Sequence, residues 1–172
     1  MSQWQSGGAI QLSHELTLKA SNKEAKMAWH LYYTTYGTWL HGDERGSADV
    51  SGYVPPNDGL EQHRRNKLEQ EPFLLAQEMR TAVDSAIKEV CEHRGWKLYA
   101  LNVRSNHVHV VVGNAEDRNA IIRDFKAYST RRLRRDGLIP DDRKVWTKRC
   151  GHRYLFDDDY LNKAIHYVLH RQ

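Results

Sequence analysis

Hydrophobic and polar positions along the chain switch between two periods. From Asn106 to Gly113 the run Asn-His-Val-His-Val-Val-Val-Gly alternates in twos, which predicts a strand. Val108, Val110 and Val112 then share one face, and His107 and His109 share the other. Trp96 to Arg104 reads as the strand before it, with Tyr99, Leu101 and Val103 in alternation and a short turn between the two. Trp29 to Tyr36, rich in aromatic and β-branched residues, predicts a first strand. Lys144 to Tyr154 predicts a short last strand, interrupted near Gly151.

The helical period governs the segments between. From about Pro72 to Arg94, Leu75, Met79, Ala82, Val83, Ala86, Ile87, Val90 and Cys91 recur on one face, and Gly95 ends the helix. Residues 118–135 predict a second helix with Ile121, Ile122, Phe125 and Leu133 inward, stopped by Gly137 and Pro140. Asp157 to Arg171 predicts a last helix with its acids at the N-terminus, where they suit the helix dipole. The order β, α, β, β, α, β and then a helix is the ferredoxin-like, RRM-like split βαβ pattern. The expected fold class is α+β: an antiparallel sheet, helices on one face, and an extra C-terminal helix. The valine face of the third strand belongs under the helices, so His107 and His109 are expected on the open face. Residues 28–172 read as a single domain. Residues 1–27 read as a polar extension, disordered or loosely helical. Residues 37–71, punctuated by five glycines and two prolines, read as a long inserted loop.

Charge adds a partner class. The net charge of the 172 residues is +4, but it is uneven. Between Arg123 and Arg153 eleven Lys and Arg face four Asp, a local +7 that leaves the rest of the chain at −3. Such a field suits a polyanion such as nucleic acid, and it equally suits a solvated helix face. Two distant cysteines outside any CxxC pair fit a reducing compartment. No apolar run approaches membrane-spanning length, and the first 27 residues lack a signal-peptide pattern. A cytoplasmic protein with no membrane partner is expected.

Two features carry chemistry. Imidazoles at i and i+2 on a strand are separated by roughly 6.6 Å of rise and can converge on one divalent metal. The second feature is Tyr128, in Phe125-Lys126-Ala127-Tyr128-Ser129-Thr130-Arg131-Arg132, a helical tyrosine among cations. Positive surroundings favour a phenolate, and an attacking tyrosine would store the energy of a broken phosphodiester as a phosphotyrosine. Tyr128 also keeps core spacing to Phe125 and Ile121, so packing and catalysis are both open to it.

Asn106-His107-Val108-His109, followed about twenty residues later by a helical tyrosine, resembles the HUH single-tyrosine transposases. The closer likeness is to the REP-associated tyrosine transposases and their domesticated relatives. It runs from Trp29 to Arg171 and includes Thr34-Thr35-Tyr36-Gly37-Thr38-Trp39, the Lys-Ala-Tyr helix, and the closing segment Trp146…Arg153-Tyr154-Leu155…Ile165-His166-Tyr167-Val168. The resemblance implies that His107 and His109 hold Mg²⁺ or Mn²⁺ and that Tyr128 attacks, leaving a 5′-phosphotyrosine and a free 3′-hydroxyl. It implies a single-stranded DNA substrate beside a hairpin and a transposase working as a monomer or homodimer. Lys126, Arg131, Arg132, Arg134, Arg135, Lys148 and Arg149 would bind DNA, and Trp29, Tyr32, Trp39 or Trp146 would stack on bases. The family usually supplies a third metal ligand, Gln or Asn, one turn after the tyrosine. Arg132 stands there and cannot ligate a cation, which leaves Asp124 or solvent.

Other classes fit less well. A histidine-triad hydrolase needs a third histidine where Val111 stands, and a 2H phosphoesterase needs His-x-Thr/Ser, which the chain lacks. A hairpin-binding module with a degenerate site, or a sheet used only as a stacking platform, remains the alternative, and it would bind nucleic acid in EDTA.

Overall fold

The computed structural model describes residues 28–49, 52–115 and 117–171. The expected extension 1–27 lies outside the described residues. The domain is built on β1 (Ala28–Thr34), β2 (Ser47–Asp49), β3 (Gly52–Val54), α1 (Asp58–Arg65), α2 (Gln77–Arg94), β4 (Lys97–Val103), β5 (His107–Gly113), α3 (Arg118–Arg135), β6 (Gly151–Leu155) and α4 (Asp158–His170). Four strands form one sheet in the order β4-β5-β1-β6, every neighbouring pair antiparallel. This is the split βαβ arrangement that the element order predicts.

The two faces of the sheet have different covers. On one, α2 and α3 pack over Leu31, Tyr33, Val108, Val110 and Val112. On the other, α4 lays Leu161, Ala164 and Val168 over Ala28, Ala100, Val111 and Leu155. The expected open face is therefore half closed. α4 covers the end of the sheet that carries Val111, and His107 and His109 stand at its uncovered margin. The Asn102 side chain ties β4 to α4 by donating to the Val168 carbonyl at 2.9 Å.

Most element bounds fall where the pattern places them. α3 occupies 118–135, with the Asp117 carboxylate accepting from the Asn119 N–H. α2 starts at Gln77 rather than near Pro72. The Phe73 and Leu75 N–H groups donate to the Tyr36 and Ser105 carbonyls, at 2.8 and 2.7 Å, and hold that stretch extended. Gly95 closes α2 in the left-handed conformation at φ 67°. The inserted loop contains the β2–β3 hairpin and α1. α1 buries no side chain, so no hydrophobic period announces it; Asn57 starts it by capping the Leu60 N–H. Trp39 is anchored in this insertion: its indole donates to the Gly46 carbonyl, and Arg45, paired with Asp43, lies over the ring at 4.7 Å. Among the described residues, no helix is long and apolar enough to cross a membrane.

Candidate active site

The antiparallel register brings residues of three strands together on the α4 side. Tyr32 pairs with His109 on β5 and with Gly151 on β6; Thr34 pairs with His107; His30 pairs with Val111 and Arg153. Side-chain alternation then places His30, Tyr32, His107, His109 and Arg153 on one face. α4 walls the space with a stripe at helical spacing, Tyr160, Lys163, Ala164, Tyr167 and Arg171. The result is a cleft of about 1040 Å³, with Trp39 at its rim.

His109 sits at the centre of this arrangement. Tyr32 stacks on its face, with centroids 5.5 Å apart and planes 13° apart. That stacking depends on Gly151, because a Cβ there would lie 2.0 Å from the Tyr32 ring. The His109 Nδ1 shares a hydrogen bond of 3.0 Å with the Nε2 of His30, which is 9% exposed. The Tyr167 ring presents an edge to both His30 and His109, at 6.0 Å. His107 lies edge-on to His109 at 5.2 Å. Its Nδ1–H donates to the Asn106 side-chain oxygen at 2.7 Å, which puts the imidazole lone pair on Nε2.

Burial disfavours the charged forms of His109 and His30. It pulls His109 down to about 3, and the neighbouring His30 and His107 push in the same direction. Burial also lowers His30, helped by the positive charge of Arg153. Neutral imidazoles offer lone pairs to a metal. The cleft has no carboxylate among its described lining residues, while Arg153, Lys163 and Arg171 are all cations. Such a wall repels acids and attracts phosphates.

The donor set fits a divalent ion as a pair of imidazoles. Among the described residues, no group of three or more His, Cys, Asp or Glu surrounds one point. The remaining coordination positions would fall to water and to substrate oxygens. Nitrogen donors favour a transition ion such as Mn²⁺ over Mg²⁺, which prefers an all-oxygen shell.

Other expected site residues lie elsewhere. Tyr128 is on α3, whose Ile121, Phe125 and Leu133 are buried on the valine face of the sheet. The fold does not bring it to His107 and His109 within one chain; Arg131 covers its ring at 4.1 Å. Asp124 is buried between α2 and α3 and paired with Arg94 at 2.7 Å and Arg123 at 3.3 Å, on the far side of the sheet from the histidines. Lys126 donates to the carbonyls of Thr147, Lys148 and Arg149, so it fastens α3 to that segment rather than reaching into solvent. Arg132 is held by Glu89 and Asp136, and Arg135 touches Asp136. Arg131, Arg134 and Lys148 line a shallow groove with Arg123 and Trp146, on the helical side of the sheet. Arg149 follows Lys148 beside it.

Residues 65–168 match the family model described as "Transposase IS200 like". The chain belongs to the IS200-like transposase family. The matched span holds β5 with both histidines, α3, β6 and most of α4. Two solved structures are also similar. One is a REP-associated tyrosine transposase bound to a REP hairpin, at 13% identity over 98% of this chain and 70% of that one, with a TM-score of 0.49. The other is a crystal structure of a transposase candidate from Deinococcus radiodurans R1, at 15% identity over 86% of this chain and 91% of that one, with a TM-score of 0.48. No curated protein matches the chain.

In this transposase, sequence reasoning passed over His30, Arg153, Lys163, Tyr167 and Arg171 as site residues. Signals for two of them were present. His30 alternates with Tyr32 and Thr34, and Tyr167 falls in the closing segment that carries the family likeness.

Proposed function

We propose that this transposase cleaves and rejoins single-stranded DNA through a covalent phosphotyrosine, with His107 and His109 as its metal-holding pair and Tyr167 as its nucleophile. The supporting observation is the meeting of all three in one cationic cleft with no carboxylate among its described lining residues. Tyr128 was the nearer tyrosine in sequence, but the sheet separates it from the histidines.

The Tyr167 phenol oxygen bonds to phosphorus as its proton leaves. The bond from phosphorus to the 3′ oxygen breaks, and that oxygen takes a proton to become a 3′-hydroxyl. The 5′-phosphate stays on Tyr167 until a 3′-hydroxyl reverses the exchange. A divalent ion held by the histidine pair would draw charge from the scissile phosphate oxygens. Arg153 and Lys163 offer fixed positive charge to the same phosphate. Tyr32, Trp39 and Tyr160 line the cleft as part-exposed aromatic rings available to unpaired bases for stacking.

The groove of Arg123, Arg131, Arg134 and Lys148 takes the phosphates of a paired hairpin stem. His107, His109 and Tyr167 meet within one chain, so a monomer suffices for cleavage. A second reading rests on Arg171, one turn after Tyr167, where the resemblance calls for an amide ligand; this reading is a hairpin binder that does not cut.

The test is an adduct gel. The protein is incubated with end-labelled single-stranded hairpin oligonucleotides from its genomic flanks, with Mn²⁺ or EDTA, alongside His107→Ala. A Mn²⁺-dependent, SDS-resistant band that is lost in His107→Ala supports the reading. A hairpin shift in native gels with no adduct under any metal overturns it in favour of the binder.

A further inference from the structure

The metal-holding pair has a third histidine behind it. His30, on β1, is buried beneath the cleft, and its Nε2 lies 3.0 Å from the Nδ1 of His109. Among the described residues, the hydrogen bond of these two nitrogens is to each other, a contact between two imidazoles. Two neutral imidazoles can share one N–H in two ways, and the two have opposite consequences for a metal.

If His109 donates through Nδ1, its lone pair is on Nε2, the nitrogen turned away from His30. If His30 donates instead, His109 keeps its lone pair on Nδ1, inside the contact, and carries a hydrogen on Nε2. An N–H pointed at a cation repels it. Only the first tautomer leaves His109 a working ligand. Metal-bound histidines are usually set in this way by a partner at the other ring nitrogen. Asn106 supplies that partner for His107.

We propose that His30 is the positioning residue for His109: it accepts the Nδ1–H, fixes the tautomer that presents Nε2 to the metal, and holds the ring plane against Tyr32. This rests on the reading of His107 and His109 as the metal pair. Acting as acceptor, His30 carries its own hydrogen on Nδ1. The ring orientation has two further supports, the Tyr32 stack at 5.5 Å and the Tyr167 edge at 6.0 Å, but neither chooses a tautomer. Among the described residues it is His30 that hydrogen-bonds a His109 ring nitrogen and can choose.

The experiment uses the full chain and two readouts. Long-range ¹H–¹⁵N spectra of the metal-free protein report which nitrogen of His109 carries the hydrogen. Mn²⁺ titration followed by electron paramagnetic resonance reports affinity. The variants are His30→Leu, which cannot accept a hydrogen bond, and His30→Gln, whose side-chain oxygen can; His109→Ala is the reference. The wild type is expected to show the Nδ1–H form of His109. His30→Leu is expected to mix the two forms and to weaken Mn²⁺ binding roughly 10- to 100-fold. His30→Gln is expected to regain most of that loss, and hairpin binding in EDTA is expected to stay unchanged in both.

An Nε2–H form in the wild type overturns the proposal, and this result needs no variant to fold. Equal Mn²⁺ affinity in His30→Leu and wild type, with loss in His109→Ala, also overturns it. Loss in both His30→Leu and His30→Gln overturns the acceptor role and makes His30 a ligand. If His109→Ala binds Mn²⁺ as the wild type does, the metal reading itself has failed, and the tautomer spectrum still decides the positioning role.

Discussion

The two faces of the sheet are made from the same strands and serve opposite ends. Leu31 and Tyr32 are neighbours on β1, yet Leu31 is fully buried under α2 and α3 while Tyr32 is 42% exposed in the cleft. Val108 and His109 divide β5 in the same way. The valine face is dry and interlocked. The histidine face is closed by α4 over Val111 and, beside that cover, opens a polar, cationic cleft. A period of two lets one strand supply a core and a site at once, and a one-residue slip in register would destroy both. Stability is therefore expected to reside on one face and chemistry on the other.

Substitutions at adjacent positions would break this division most visibly. Leu31→Ala should cost about 2–5 kcal/mol in unfolding free energy, because a fully buried leucine leaves a cavity. Tyr32→Ala should cost less than about 1 kcal/mol, as expected for an exposed site, yet depress adduct formation because His109 loses its stacking partner. Denaturant melts and adduct yields of the two variants decide the matter. Comparable stability losses would mean that the faces are not distinct.

Gly151→Ala sharpens the comparison on the site side. The new methyl would meet the Tyr32 ring at 2.0 Å, so the ring must leave His109. Overpacking of this kind costs about 1–3 kcal/mol. Adding Tyr32→Ala should relieve the clash, and the double variant should be more stable than Gly151→Ala alone. Additive losses in that cycle would show that Gly151 and Tyr32 do not interact.

Asp124→Asn probes the far side of the sheet. The buried carboxylate loses its charge-assisted bonds to Arg94 and Arg123, which are themselves largely exposed, so the cost should be about 1 kcal/mol. Mn²⁺ affinity should not change. A fall in affinity would place Asp124 among the ligands.

Neutralising Arg131, Arg134 or Lys148 should have the smallest effect. Each should lower the slope of log affinity against log salt by about 1, without changing the rate of adduct formation at saturating DNA. A change in that rate would tie the helical side to the chemistry.

The fold was largely legible because its elements obey simple periods. α3 was bounded correctly by its inward Ile121, Phe125 and Leu133 and by Gly137 after it. α1 was not legible, since it buries nothing. At the site, the alternation of His107 and His109 is plain, but the helical tyrosine that stands beside them is Tyr167 and not Tyr128, which follows them sooner in sequence. Both crossovers of a split βαβ unit lie on the same side of the sheet. With the valines on the side of α2 and α3, Tyr128 belongs there as well, and the C-terminal helix is left for the histidine face. His30 needed the register with β5, which no single strand reveals.

The most direct test of this account is to identify the tyrosine that carries the DNA. The covalent adduct is formed with Mn²⁺, digested, and mapped by mass spectrometry, with Tyr167→Phe and Tyr128→Phe run in parallel. The account predicts a nucleotide on the peptide containing Tyr167, loss of the adduct in Tyr167→Phe, and retention in Tyr128→Phe. A nucleotide on Tyr128, with the adduct surviving in Tyr167→Phe, would contradict it.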